Sequence, residues 1–192
     1  MATIGKDKII VLDTETTGLL DNSGAPASFR NEILQLAIVG GNGSLLFNEY
    51  FKPVNKTQWP SAQRVNGISS RFVQNKPCFD FFKDRIQGIV NDAELIVAYN
   101  VKFDLTFLRN AGISFAGKKS YDVMKEFAKK HGPRKQGRYS TYGRYVSLTK
   151  CAEYYGYDMT KVHDAVADSQ ATLYCFLRMQ EEFLAEGGNC GE

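Results

Sequence analysis

The chain has 192 residues, 43% hydrophobic and 23% charged, which is the size of one domain able to bury a core without disulfide staples and excludes collagen-like, coiled-coil and disordered classes. No apolar run approaches the roughly 18 residues of a membrane span, and Cys78, Cys151, Cys175 and Cys190 form no C-x-x-C pair, so reduced thiols are expected rather than zinc or dithiol chemistry. The net charge of +3 is unevenly divided: residues 118–150 carry ten Lys or Arg against Asp122 and Glu126, a local +8, while the remainder holds 14 basic and 19 acidic residues. Such a segment suits an anionic partner or, equally, a solvated loop.

The first residues lack the apolar stretch of a signal peptide, so a cytoplasmic protein is expected. Lys8 to Leu12 (KIIVL) is a short β-branched run that predicts a buried strand, leading into Asp13-Thr14-Glu15-Thr16-Thr17-Gly18. Glu32 to Val39 and Ser44 to Phe51 predict two further strands, and Gly40-Gly41-Asn42-Gly43 between them predicts a hairpin. The sheet therefore opens with an antiparallel meander.

Beyond it the period becomes helical. Phe82, Ile86, Ile89 and Val90 form one apolar stripe. Glu94 to Tyr99 predicts a fourth strand, and Asn100 the N-cap of a helix over Val101 to Asn110. Ser147 is placed to cap a helix across Leu148 to Tyr155. In the last helix Val166, Leu173, Leu177 and Leu184 fall within about 40° of one another. The expected fold class is α/β, a sheet of mixed direction with helices packed on it, in one domain over residues 1–186 with a flexible tail at 187–192. Residues 133–145 (PRKQGRYSTYGRY) show no periodic apolar face and are expected to form a loop.

Asp13 and Glu15 stand two apart at the C-terminal end of a strand, so both side chains can take one face. Ligand sites in open α/β sheets favour that edge. Two such charges 4 Å apart repel by about 4 kcal/mol at an effective dielectric near 20, enough to keep one protonated unless a cation intervenes. Taken singly, the pair also suits a structural or loop-capping role. Asp104, in the first turn of its helix, suits the helix dipole as well as it suits chemistry. His163 and Asp168, five apart, would lie about 140° apart on one helix. They converge only if Asp164 caps the helix and leaves His163 in the preceding loop. With only His131 and His163 in the chain, a histidine-rich metal site is excluded.

Together and in order, Asp13-x-Glu15 in VLDTETTGL, Asp104 in YNVKFDLTFL and His163-x4-Asp168 in HDAVADSQAT resemble the three motifs of the DEDD exonuclease superfamily, in its histidine-bearing branch. The resemblance runs from about Lys8 to Leu184 and takes in Val65-Asn66-Gly67-Ile68 and Lys76-Pro77. It implies a ribonuclease H-like fold and a 3′ to 5′ exonuclease that acts on single-stranded or frayed DNA and releases nucleoside 5′-monophosphates. It further implies two Mg²⁺ or Mn²⁺ ions held by Asp13, Glu15, Asp104 and Asp168, with His163 as general base. Thr16, Thr17, Gly18 and Leu19 resemble the segment that holds the terminal nucleotide, and Asn100 is expected at the pocket. An RNA or oligoribonucleotide exonuclease, or a silent module that binds nucleic acid or a polymerase, is the alternative.

Asn66 and Tyr99 stand where many relatives carry histidine, and Gln35 where many carry glutamate. The stretch from Asp122 to Ser147 is longer than the family suggests. Its Arg134, Lys135 and Arg138, interleaved with Tyr139 and Tyr142, are expected either to clamp a single strand or to touch nothing. The chain ends soon after its last helix, so a C-terminal polymerase-binding extension is not expected. A monomer is expected, stand-alone or as a separately encoded accessory of a polymerase or repair assembly.

Overall fold

A computed structural model describes residues 4–20, 30–132, 145–159 and 163–187. Strand β1 (Ile9–Thr16) carries the predicted apolar run and continues through Asp13 and Glu15. It pairs antiparallel with β2 (Ile33–Gly40), which is buried at all eight positions, and β2 pairs antiparallel with β3 (Leu45–Tyr50). Gly43 closes the hairpin at φ 87°, a left-handed conformation open to glycine at little cost. On its other side β1 pairs in parallel with β4 (Leu95–Ala98). The five-stranded order β3-β2-β1-β4-β5 thus puts β1 at the centre.

The fifth strand, β5 (Lys119–Asp122), corrects the four-strand expectation. Its sequence, KSYD, has no apolar run, and its strand conformation comes from parallel pairing with β4 from Leu95↔Lys119 to Ala98↔Asp122. Two short helices after β3, α1 (Pro60–Asn66) and α2 (Ser70–Val73), also lack a readable stripe. Trp59, Ile68 and Val73 anchor them on Leu34 of β2, and the Trp59 indole N–H donates to the Ile68 carbonyl at 2.7 Å.

Helices cover both faces of the sheet. On one, Ile10 and Leu12 of β1 pack with Ile86 and Val90 of α3 (Lys83–Asp92) and with Leu105 and Leu108 of α4 (Val101–Asn110). On the other, Ile9 and Val11 pack with Phe127 of α5 (Val123–His131), Cys151 of α6 (Leu148–Tyr154) and Phe176 and Met179 of α7 (Ala165–Ala185). Alternation along β1 therefore sends odd residues toward α7 and even residues toward α4.

The predicted stripe of α7 is only partly the buried one, since Leu184 is 57% exposed. The helix lays Ala165, Ser169, Thr172, Phe176 and Met179 on the sheet, an arc of about 80° at 3.6 residues per turn. The first three are small, which lets the start of the helix sit close to β1 and β2. The Ser147 side chain caps α6 by accepting the Lys150 N–H. Asn100 precedes α4 but makes no side-chain cap: Phe103 donates its N–H to the Asn100 carbonyl instead. No helix among the described residues is long and apolar enough to cross a membrane.

Candidate active site

Three N-terminal or C-terminal element ends meet at one edge of the sheet. β1 delivers Asp13 and Glu15 toward α7, and α7 delivers Asp168 in its first turn. Asp164 caps that helix, its Oδ1 accepting the Ala167 N–H at 3.1 Å. His163 lies outside the helix at φ 59°, the one non-glycine residue with positive φ among those described. Histidine tolerates this region better than most residues, and strain of this kind collects at functional sites. The turn brings Glu15, His163 and Asp168 together, with one ligand atom of each within 4.8 Å of the others.

Asp104 reaches the same edge from the opposite face. Its Oδ1 accepts from the Thr14 N–H at 2.9 Å and the Thr14 hydroxyl at 2.8 Å, so one carboxylate oxygen is occupied by β1 itself. The side chain is 4% exposed.

The electrostatics follow from this crowding. Burial, then Asp104, Asp168 and Glu15, hold the Asp13 carboxyl well above the usual carboxylate range. Burial and then Asp168 push Glu15 up to about 7, against a hydrogen bond from Asn66. Burial pushes Asp104 up to about 7 against the two bonds from Thr14, and Asp168 to about 6 against His163. Oδ1 of Asp168 is buried with no hydrogen-bond partner among the described residues. Converging carboxylates with an orphaned oxygen and an adjacent imidazole are a donor set that fits a hard divalent cation.

These shifts predict an inverted pH dependence for the metal-free protein. Each folded-state pKa lies above its unfolded value of 3.8 or 4.5, so folding takes up protons. The stability this contributes is complete below about pH 4 and is lost as pH rises through 6 to 7. A tenfold change in one proton affinity is about 1.4 kcal/mol, or about 3 to 6 °C for a chain of this size. The melting temperature in EDTA should therefore fall between pH 5 and 8, and Mn²⁺ should remove most of the fall. A flat profile in EDTA would mean the carboxylates are not crowded in solution.

Beside the carboxylates lies a cavity of about 560 Å³ lined by Glu15, Thr16, Thr17, Gly18, Leu19, Trp59, Val65, Asn66 and Phe103, among others. Thr16 to Leu19 are held from two sides. Thr17 exchanges backbone and hydroxyl bonds with Glu32, and the Asn31 amide donates to the Leu19 carbonyl at 2.8 Å. The Leu19 side chain is left 80% exposed at the rim. Asn100 is not among the lining residues, and Arg134, Lys135, Arg138, Tyr139 and Tyr142 lie outside the described residues.

Gln35, which in the sequence is only a departure from a family pattern, holds the site together. It sits opposite Glu15 in the β1/β2 register and is 1% exposed. Its Nε2 donates to Asn48 Oδ1 at 3.0 Å, and its Oε1 accepts the Ala165 N–H, an otherwise orphaned donor at the start of α7, at 3.3 Å. Gln35→Leu should cost about 1 to 3 kcal/mol by leaving that buried donor unpaired, readable by urea denaturation. Asn66 is engaged similarly, donating to the Thr16 carbonyl and accepting from Ile68 N–H, both at 3.1 Å.

A model of the exonuclease family RNase_T matches residues 10–176. The epsilon subunit of DNA polymerase III from Buchnera aphidicola is 36% identical over 121 residues, 60% of this chain and 49% of that protein. The Escherichia coli epsilon subunit is 29% identical over 179 residues, 88% of this chain and 70% of that protein. Among solved structures, E. coli exonuclease I in complex with a dA16 oligonucleotide shares the fold at a TM-score of 0.68 and 19% identity, over 93% of this chain and 42% of that one. This chain thus spans about half the length of the Buchnera protein.

Proposed function

Because the chain belongs to the RNase_T exonuclease family, we propose that it removes nucleotides one at a time from the 3′ end of single-stranded or frayed DNA, releasing nucleoside 5′-monophosphates in proofreading, repair or turnover. The observation that carries this reading is the convergence of Glu15, His163 and Asp168 beside the cavity that contains Thr16 to Leu19. The dA16 strand bound to exonuclease I, a protein of the same fold, supports a single-stranded substrate.

Asp13, Glu15, Asp104 and Asp168 would hold two Mg²⁺ or Mn²⁺ ions. Such ions supply Lewis acidity to the phosphate oxygens, the attacking water and the leaving 3′ oxygen. The rest of the chemistry belongs to this chain's own residues. His163, exposed beside Glu15 and Asp168, takes the proton of the attacking water, a task matched to an imidazole near neutral pH. Thr14 fixes Asp104, and Gln35 fixes the start of α7, so the acidic residues and His163 keep their relative positions without substrate. The pinned Thr16–Leu19 segment receives the terminal sugar, and Leu19 packs against its base. The bond that breaks joins phosphorus to the 3′ oxygen of the penultimate nucleotide, which leaves the phosphate on the product.

Digestion of matched 5′-labelled single-stranded DNA, duplex DNA and RNA in Mg²⁺, Mn²⁺ or EDTA tests this reading. Stepwise shortening of DNA from its 3′ end in Mg²⁺, absent in EDTA, is expected. Faster shortening of RNA would reassign the substrate, and intact strands in every metal would overturn the activity.

A further inference from the structure

Between Glu49 and Asp80 the chain holds no carboxylate and five cations, Lys52, Lys56, Arg64, Arg71 and Lys76. Three of them, Lys52, Lys56 and Arg71, line one groove of about 370 Å³ together with Thr57, Ser70 and Gln74. No Asp or Glu lines it. Among the described residues none of the three cations has a carboxylate within 4.0 Å, although ion pairs form elsewhere on the surface.

The nearest acid forms no ion pair with them. Glu32 turns its carboxylate to the backbone, accepting the N–H groups of Val54, Asn55 and Lys56 at 2.7, 2.9 and 2.8 Å. This pins the loop that carries Lys52 and Lys56. Arg71 is held by α2, whose cap is the Ser69 hydroxyl accepting the Phe72 N–H. Three cations on fixed backbone, with the Glu32 carboxylate tied to that backbone and ion-paired to none of them, outnumber their nearby counter-charge and favour an anion between them.

The groove adjoins the nucleotide cavity, since Trp59 lines both, and it contains none of Asp13, Glu15, Asp104 and Asp168. We propose that Lys52, Lys56 and Arg71 bind phosphates of the complementary strand at a frayed duplex end. This rests on the reading of the cavity as the seat of the terminal nucleotide. The cleaved strand places its last phosphate at the carboxylates and its other phosphates on the 5′ side, leading away. Nothing of that strand lies beyond its own 3′ end. The complementary strand does run on past that end as a 5′ overhang, and its phosphates are the ones a groove beyond Trp59 meets.

The test is the salt dependence of binding, measured by fluorescence anisotropy in EDTA so that no hydrolysis is needed. The labelled ligands are a single strand and the same strand annealed to a complement, with a frayed 3′ end and a 5′ overhang. Each phosphate contact on a single-stranded segment such as the overhang contributes about 0.7 to the slope of log affinity against log salt. The triple variant Lys52→Gln, Lys56→Gln, Arg71→Gln should therefore lose about 2 from the slope of the annealed ligand and leave the single-strand slope in place. Lys52→Gln and Arg71→Gln alone should each lose about 0.7, which keeps the test open if the triple variant folds poorly. Removing Lys6, Lys8 and Lys119, exposed at the opposite end of the sheet, should leave the slope of the annealed ligand as in the parent. An unchanged slope of the annealed ligand in the groove variants would overturn the proposal. An equal loss on the single strand would overturn it too, by giving the groove to the cleaved strand. Failure of the exonuclease reading shows instead in the digestion assay, which this binding measurement does not require.

Discussion

Asp13→Ala should abolish nuclease activity and, in EDTA near neutral pH, make the protein more stable than its parent. Both effects come from one carboxylate. Asp13 is surrounded by Asp104, Asp168, Glu15 and Asp164, and burial adds to their repulsion. Removing it relieves the metal-free fold. The same removal takes away one of the four carboxylates proposed to hold the cations, so their binding should weaken sharply. For the parent protein, a divalent ion that binds only the folded state should add about 2.7 kcal/mol at 100 times its dissociation constant. In a chain of this size that is roughly a 5 to 10 °C rise in melting temperature with Mn²⁺. The variant should lose most of this rise. Thermal melts with and without Mn²⁺, run beside the digestion assay, check both halves. An active Asp13→Ala protein would refute the metal assignment, and a destabilised one in EDTA would refute the crowding.

The second large effect is expected at His163. Its imidazole is exposed and stands off the helix on a left-handed residue, yet one of its nitrogens lies within 4.8 Å of ligand oxygens of Glu15 and Asp168. Such a position suits a base that meets solvent water, and it also suits a third metal ligand. The two roles separate in one variant. If His163 is the base, His163→Ala should lower turnover by about 10²-fold to 10⁴-fold while the Mn²⁺ concentration for half-maximal stabilisation stays put. The acid limb of the pH-rate profile should disappear with it. If His163 is a ligand, the half-maximal concentration should rise in step with the loss of rate. Unchanged turnover would leave His163 a turn residue with no part in the chemistry.

The amino-acid order by itself determined the elements that rest on local physics. The β-branched run before Asp13, the glycines at Gly40 to Gly43, the apolar stripe around Ile86 and the caps at Ser147 and Asp164 each act within a few residues. Those elements appear within a residue or two of their expected bounds, apart from β1, which continues four residues past its run to Thr16. The same holds for His163, because a cap at Asp164 is a local event that sets where the helix begins.

Tertiary structure decided what depends on residues far apart in the chain. β5 is a polar tetrapeptide made into a strand by β4. Asp104 is fixed by Thr14 across 90 residues, and the start of α7 by Gln35 across 130. The buried face of α7 escaped its apolar periodicity because close approach to a sheet favours Ala165, Ser169 and Thr172, whose small or polar side chains carry little hydrophobic signal. Asn100 shows the reverse, a residue with the right chemistry for a cap whose helix takes the backbone carbonyl instead. Local propensity is worth tenths of a kcal/mol per residue, whereas a buried donor left unpaired costs about 1 to 3 kcal/mol. Where the two compete, long-range pairing sets the outcome.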